Sequence, residues 1–92
     1  MGAVEIVFPL ILVEVTKERA TEISASTLGE ALEKAAEKYG EEFKRKIFEA
    51  DGRPRRLLNF FVNNKNARLL KELQTPLSDG DRISIYPTVS GG

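Results

Sequence analysis

The chain contains neither cysteine nor histidine. Without cysteine there is no disulfide framework, no thiolate nucleophile, and no side chain on which sulfur could be carried as a persulfide. Without either residue the usual structural zinc ligands are missing, and so is the histidine base of serine-nucleophile chemistry. No charge sign dominates: 14 basic residues face 14 acidic ones. The chain therefore lacks the basic excess that marks a nucleic-acid surface or a polybasic membrane patch. Basic residues cluster only at Lys44-Arg45-Lys46 and Arg53-Pro54-Arg55-Arg56, which read as a solvated helix end and a loop. No long apolar run exists. Residues 4–13 are apolar but are interrupted by Glu5 and Pro9, lack a basic leader and are too short to span a bilayer. The expected compartment is the cytoplasm, with no membrane and no nucleic-acid partner. A Walker-type phosphate loop is absent. The carboxylate pairs Asp79/Asp81 and Glu41/Glu42 fall in turn and helix-end sequence with no tuned base beside them, so turn formation is their expected role. The chain reads as no enzyme in its own right, with no metal and no intrinsic cofactor.

What is present suits one small folded domain. Ninety-two residues suffice for one domain and not for two, and 41% hydrophobic with 30% charged residues is globular composition. Val4, Ile6 and Phe8 alternate with Glu5 and Val7, which predicts a strand over about 3–9, closed by Pro9. Residues 10–15 fit either a continued strand or a bend, and a second strand is expected over about 20–24. Thr27 followed by Glu30 predicts a capping box, hydroxyl to the third amide and carboxylate back to the cap's own amide. Leu28, Ala31, Leu32, Ala35 and Tyr39 then share one face of a helix over 27–39 that stops at Gly40. Phe43 and Ile47 predict a short second helix over 41–49. A strand follows over 57–62, with Leu58, Phe60 and Val62 on one face and Asn59 and Phe61 on the other. Asn63-Asn64 is a turn, and a short strand is expected around 67–69. Ile83, Ile85 and Pro87 alternate with Ser84 and Tyr86 in a last strand. The expected core is Val4, Ile6, Phe8, Leu28, Leu32, Phe60, Val62, Ile83 and Ile85. Strand, strand, helix, strand, short strand, strand is an α+β arrangement, a mixed sheet of four to five strands packed on one main helix.

The chain ends Thr88-Val89-Ser90-Gly91-Gly92, and two glycines at a terminus occur by chance in only about 0.5% of chains. Asp79-Gly80-Asp81-Arg82-Ile83-Ser84-Ile85-Tyr86-Pro87 and the glycine ending resemble the "DGDxVxxxPxVxGG" terminus of the MoaD/ThiS ubiquitin-fold sulfur carriers. Leu58-Asn59-Phe60-Phe61-Val62-Asn63 resembles their central "LNxxVN" strand, and Thr27-Leu28-Gly29-Glu30-Ala31-Leu32 their "TVGEaL" helix start. The resemblance covers nearly the whole chain in order. It departs at Pro9-Leu10-Ile11-Leu12-Val13, where many MoaD proteins carry a polar stretch.

The resemblance implies a β-grasp (ubiquitin-like) domain over 1–87 and a C-terminal tail over 88–92. It also implies a chemistry. An E1-like adenylating enzyme of the MoeB/ThiF type would use ATP to turn the Gly92 carboxylate into an acyl adenylate, with Gly91 beside it. A persulfide donor would then displace AMP to leave a thiocarboxylate. That group would pass sulfur to an acceptor, foremost a molybdopterin precursor on a MoaE-like large subunit. The alternatives are a modifier joined through Gly92 to lysines, or a carrier for cysteine or thiamine synthesis or tRNA thiolation. Glycines without Cβ thread a narrow channel, and the stretch from Pro87 to Gly92 reaches roughly 20 Å when extended. Phe61, Tyr86, Pro87, Val89 and Val7 are the expected partner-binding residues. By alternation Phe61, Tyr86 and Val7 face away from the helix, and Tyr86 matches the position of an aromatic that contacts the activating enzyme in the family.

Overall fold

The structure is a computed structural model that describes residues 2–87. Strand β1 (Gly2–Val7) leads into helix α1 (Leu10–Thr16) and strand β2 (Ala20–Ala25). Helices α2 (Leu28–Tyr39) and α3 (Glu41–Ile47) follow, then β3 (Leu58–Val62), the two-residue β4 (Lys65–Asn66), 3-10 turns at Ala67–Leu69 and Glu72–Gln74, and β5 (Arg82–Pro87). The five strands form one sheet in the order β2-β1-β5-β3-β4. β1 and β5 are parallel and the other neighbours antiparallel.

The inner face of the sheet follows from period-two burial. Val4 and Ile6 of β1 stand beside Ile23 and Thr21 of β2, and Ile6 stands beside Ile83 of β5. Ile83 and Ile85 in turn register with Val62 and Phe60 of β3. All nine expected core residues are buried. Leu12, Phe43, Ile47 and Leu58 join them, and Phe8 packs edge-on against both Tyr39 and Phe43.

Helix α2 starts as its sequence requires, with one difference. Thr27 Oγ1 accepts from the Glu30 amide at 3.2 Å. The Glu30 carboxylate reaches past the cap, however, and accepts from the amide and the hydroxyl of Ser26 at 2.6 and 3.0 Å. Thr27 itself is engaged in a bridge with Pro76, and Ser26 offers one carboxylate oxygen two donors at once. At its other end Gly40, at φ 100°, lets α3 begin at once in a new direction.

Three local expectations need correction. Residues 10–15 are neither strand nor bend but helix α1. Pro9 fixes φ at −72° just ahead of the first turn, and Leu12 and Thr16, four apart, turn inward. The helix ends at Lys17 in the left-handed conformation, where the Lys17 amide donates to the Val13 carbonyl. The short strand lies at Lys65–Asn66, not around 67–69; Ala67–Leu69 is a 3-10 turn whose start is capped by Asn66 Oδ1 on the Arg68 amide. Helix α3 stops at Ile47 because Phe48 turns extended and bridges Pro54. There are thus three helices among the described residues, of which α2 is the main one.

Candidate functional site

The outer face of the sheet carries the expected aromatic pair. Asn59 and Phe61 on β3 and Arg82, Ser84 and Tyr86 on β5 point away from the helices because their strand neighbours are buried on the inner face. The rings of Phe61 and Tyr86 meet edge to face, 5.5 Å between centroids at 80°. This is the favoured arrangement for two quadrupoles. Tyr86 is 53% exposed while Phe61 and Val7 are half-buried. Val7, Ser84 and Phe61 fall in one row across β1, β5 and β3. Ser84 is buried between its two apolar neighbours, and its small side chain leaves the middle of the row low. Beside it a hollow of about 500 Å3 opens between Phe61, Asn63, Arg82 and Tyr86. One row away, Arg82 Nε donates to Glu5 Oε1 at 2.8 Å, so a solvated ion pair borders the apolar row.

A second apolar group lies where β5 ends. β1 and β5 are parallel, so the chain leaves both at the same end of the sheet. Pro87, exposed, pairs in register with Leu58. Ile11 and Leu57 line a hollow together with Pro87, and Leu57 is 67% exposed. Leu10, the first residue of α1 and the neighbour of Ile11 in the chain, is exposed as well. Sequence reading names Pro87 but misses Leu10, Ile11 and Leu57, because residues 10–15 had no settled conformation. Leu57 alone carried a usable signal: it precedes inward-facing Leu58 and must point the other way. Ser84 and Arg82 were also passed over, as small and charged residues on an exposed strand face carry no pattern of their own.

Val7, Phe61 and Tyr86 are thus brought to the outer face of the sheet, and Pro87 to the end of β5 beside them. Val89, Gly91 and Gly92 lie outside the described residues. The two aspartates of the Asp79-Gly80-Asp81 run serve the turn. Asp79 Oδ1 accepts from the Ala3 amide at 2.9 Å and Asp81 Oδ2 from the Ser78 amide at 2.8 Å. The carboxylates held below their usual range lie elsewhere, Glu18 in the turn between α1 and β2 and Glu30 in the first turn of α2. Glu18 accepts from the Tyr39 hydroxyl at 2.5 Å, with Lys38 as a further partner. Glu30 is lowered by its bonds from the Ser26 amide and hydroxyl. Among the described residues no cluster of three or more carboxylate, imidazole or thiol groups could hold a metal ion, and no helix is long and apolar enough to cross a membrane.

The model of the ThiS family matches residues 6–92. A protein of Archaeoglobus fulgidus described as a sulfur carrier is 43% identical over 47 residues, 51% of this chain and 53% of that protein. The chain spans about half the length of the curated relatives it matches. The small archaeal modifier protein 1 of Methanosarcina acetivorans superimposes with a TM-score of 0.90 at 30% identity, over 100% of this chain and 98% of that one. The structure of a BexX/CysO complex from Amycolatopsis orientalis matches with a TM-score of 0.84 at 27% identity, over 97% of this chain and 99% of that one.

Proposed function

The chain belongs to the ThiS family of ubiquitin-like, β-grasp sulfur carriers, and from that membership we propose that its working group is the Gly92 carboxylate, activated by a partner and converted to a thiocarboxylate. A free carboxylate is inert towards sulfur nucleophiles because it has no leaving group. ATP on an E1-like adenylating enzyme supplies one: the carboxylate attacks the α-phosphorus, pyrophosphate departs, and the acyl adenylate carries AMP. A persulfide sulfur then adds to the acyl carbon and AMP leaves. Reductive cleavage of the sulfur–sulfur bond by a thiol releases the thiocarboxylate. The nucleotide and the thiol chemistry belong to partners, as this chain has no cysteine.

The domain over 1–87 serves as the handle by which partners hold the tail over 88–92. Its outer sheet face is the grip. The observation that carries this reading is the edge-to-face pair of Phe61 on β3 and Tyr86 on β5, with Tyr86 mostly in solvent on the strand that runs directly into the tail. A partner that seats Tyr86 and Pro87 fixes the point from which the chain continues to Gly92.

The acceptor proposed first is a molybdopterin precursor on a MoaE-like large subunit. Its support is the Asp79-Gly80-Asp81 to Gly92 ending and nothing in the fold. A second reading, a protein modifier joined to lysines or a carrier for cysteine synthesis, draws on full-length likeness to an archaeal modifier and to CysO. Pyrophosphate exchange by the host's adenylating enzyme tests the shared step. Removing Gly92 is expected to abolish exchange and to leave the thermal melt unchanged. Exchange that survives the deletion would refute activation at this terminus.

A further inference from the structure

The second basic cluster read from the sequence as a solvated loop, yet it forms one wall of a groove. Residues 53–56 face the two 3-10 turns across a concavity of about 570 Å3. Its floor is apolar, made by Leu28, Leu58, Phe60 and Ala67, with half-buried Leu73 on the far side. The walls are built rather than loose. Phe48 bridges Pro54, the Arg55 amide donates to the Ile47 carbonyl at 2.8 Å, and the Glu49 amide donates to the Arg53 carbonyl at 2.6 Å. On the other wall Gly29 packs so closely against Leu73 that a Cβ there would lie 3.2 Å from its carbonyl oxygen.

The charge of the rim is one-sided in a chain whose total is zero. Arg53, Arg55, Arg56, Arg68 and Lys71 line the groove against one acid, Glu72. Arg53 is paired with Asp51 and Arg55 with Glu49. Arg56, Arg68 and Lys71 have no carboxylate partner among the described residues. Arg68 is nonetheless held in place, since its Nη2 donates to the Arg56 carbonyl at 3.0 Å. That leaves its other donors free for a carboxylate at a reduced cost in ordering. Beside them Leu69, on the same 3-10 turn as Arg68, is 84% exposed and Leu70 is exposed as well.

We propose that this groove is a second docking surface, taking a partner segment in which acidic residues alternate with aliphatic ones. The unpaired cations would meet the carboxylates, and Leu69 and the groove floor would meet the aliphatic side chains. The geometry favours a peptide over nucleic acid. Single strands bind by stacking bases on exposed rings, and the one aromatic side chain among the described residues lining this groove, Phe60, is 7% exposed. The surface is separate from the outer sheet face and does not depend on the carrier reading.

The test is fluorescence anisotropy of a short labelled peptide of alternating glutamate and leucine titrated with the full chain. A glutamine–leucine peptide and a single-stranded RNA of similar length serve as comparators. The acidic peptide binds and the glutamine peptide does not. Combining Arg56→Glu, Arg68→Glu and Lys71→Glu weakens binding roughly tenfold or more, as loss of charge-assisted contacts should. Lys71→Glu alone, at an exposed side chain, weakens it severalfold and guards against a triple variant that fails to fold. Deleting Gly92 leaves binding unchanged. Absence of binding by the acidic peptide would overturn the proposal, as would binding indifferent to Lys71→Glu in a folded protein. RNA bound more tightly than the peptide and lost with the same reversals would also overturn it, in favour of a nucleic-acid surface.

Discussion

Phe61 and Tyr86 touch each other, but only Tyr86 stands mostly in solvent. Tyr86→Ala therefore removes a contact that a partner would cover without opening the core. It is expected to weaken binding to the adenylating enzyme by about 1–2 kcal/mol, in the range of an aromatic anchor. Calorimetric titration measures that loss, and an unchanged melting temperature separates it from unfolding. Gly2 presents the opposite case. A Cβ there would stand 2.4 Å from the Asp79 amide nitrogen, because Asp79 and Gly80 bond both polar groups of Ala3. Gly2→Ala is expected to destabilise by about 1–3 kcal/mol, the cost of forcing backbone apart, and urea unfolding would show it. The family-like Asp79-Gly80-Asp81 run thus has a structural reason: Gly80 sits at φ 90°, the Asp79 carboxylate ties the turn to the start of β1, and the Asp81 carboxylate closes the turn on the Ser78 amide.

Helix α1 shows where element-level reading of a sequence stops. Its residues, Leu-Ile-Leu-Val-Glu-Val-Thr, are rich in β-branched side chains that lose χ1 freedom in a helix, so local propensity opposes the observed state. What decides is tertiary: Leu12 is buried against the core while Leu10 and Ile11 stay outside. Leu12→Ala is expected to cost about 2–5 kcal/mol, as for any fully buried leucine, whereas Ile11→Ala should leave stability within about 0.5 kcal/mol. Paired urea titrations would distinguish the two. By contrast α2 was legible apart from the partner of the Glu30 carboxylate, which is Ser26 and not the cap's own amide, because its cap hydroxyl, its apolar spacing and its terminal glycine all favour the same state. Its strands were legible by alternation. The two-residue β4 was not, since two residues hold no period. The same limit applies to the site. Phe61, Tyr86 and Val7 could be placed on the outer face by counting along strands, while Ile11 needed the conformation of α1, which the sequence left open. Thr27→Ala, which deletes the observed cap bond, should cost about 1 kcal/mol.

At the scale of the whole molecule, charge enters stability through carboxylates that fold into hydrogen bonds. Glu30 is lowered by the Ser26 amide and hydroxyl, and Glu18 by the Tyr39 hydroxyl and Lys38. A carboxylate with a depressed folded-state pKa stabilises above its unfolded value and loses that contribution as pH falls through the folded one. Melting temperature should therefore drop on acidification below the normal carboxylate range, and the drop should be smaller in Glu30→Gln, which keeps an acceptor but no charge. An equal drop in both proteins would remove Glu30 from the explanation.

The same domain that gains from these bonds is, on the reading given above, only the handle for a terminal carboxylate. The measurement that tests this most directly is the intact mass of the chain after incubation with ATP, the host's adenylating enzyme, a persulfide sulfur source and a reducing thiol. The expected result is a gain equal to the replacement of one oxygen by sulfur, absent from a chain lacking Gly92. An unchanged mass under conditions in which the enzyme is active would contradict the carrier chemistry.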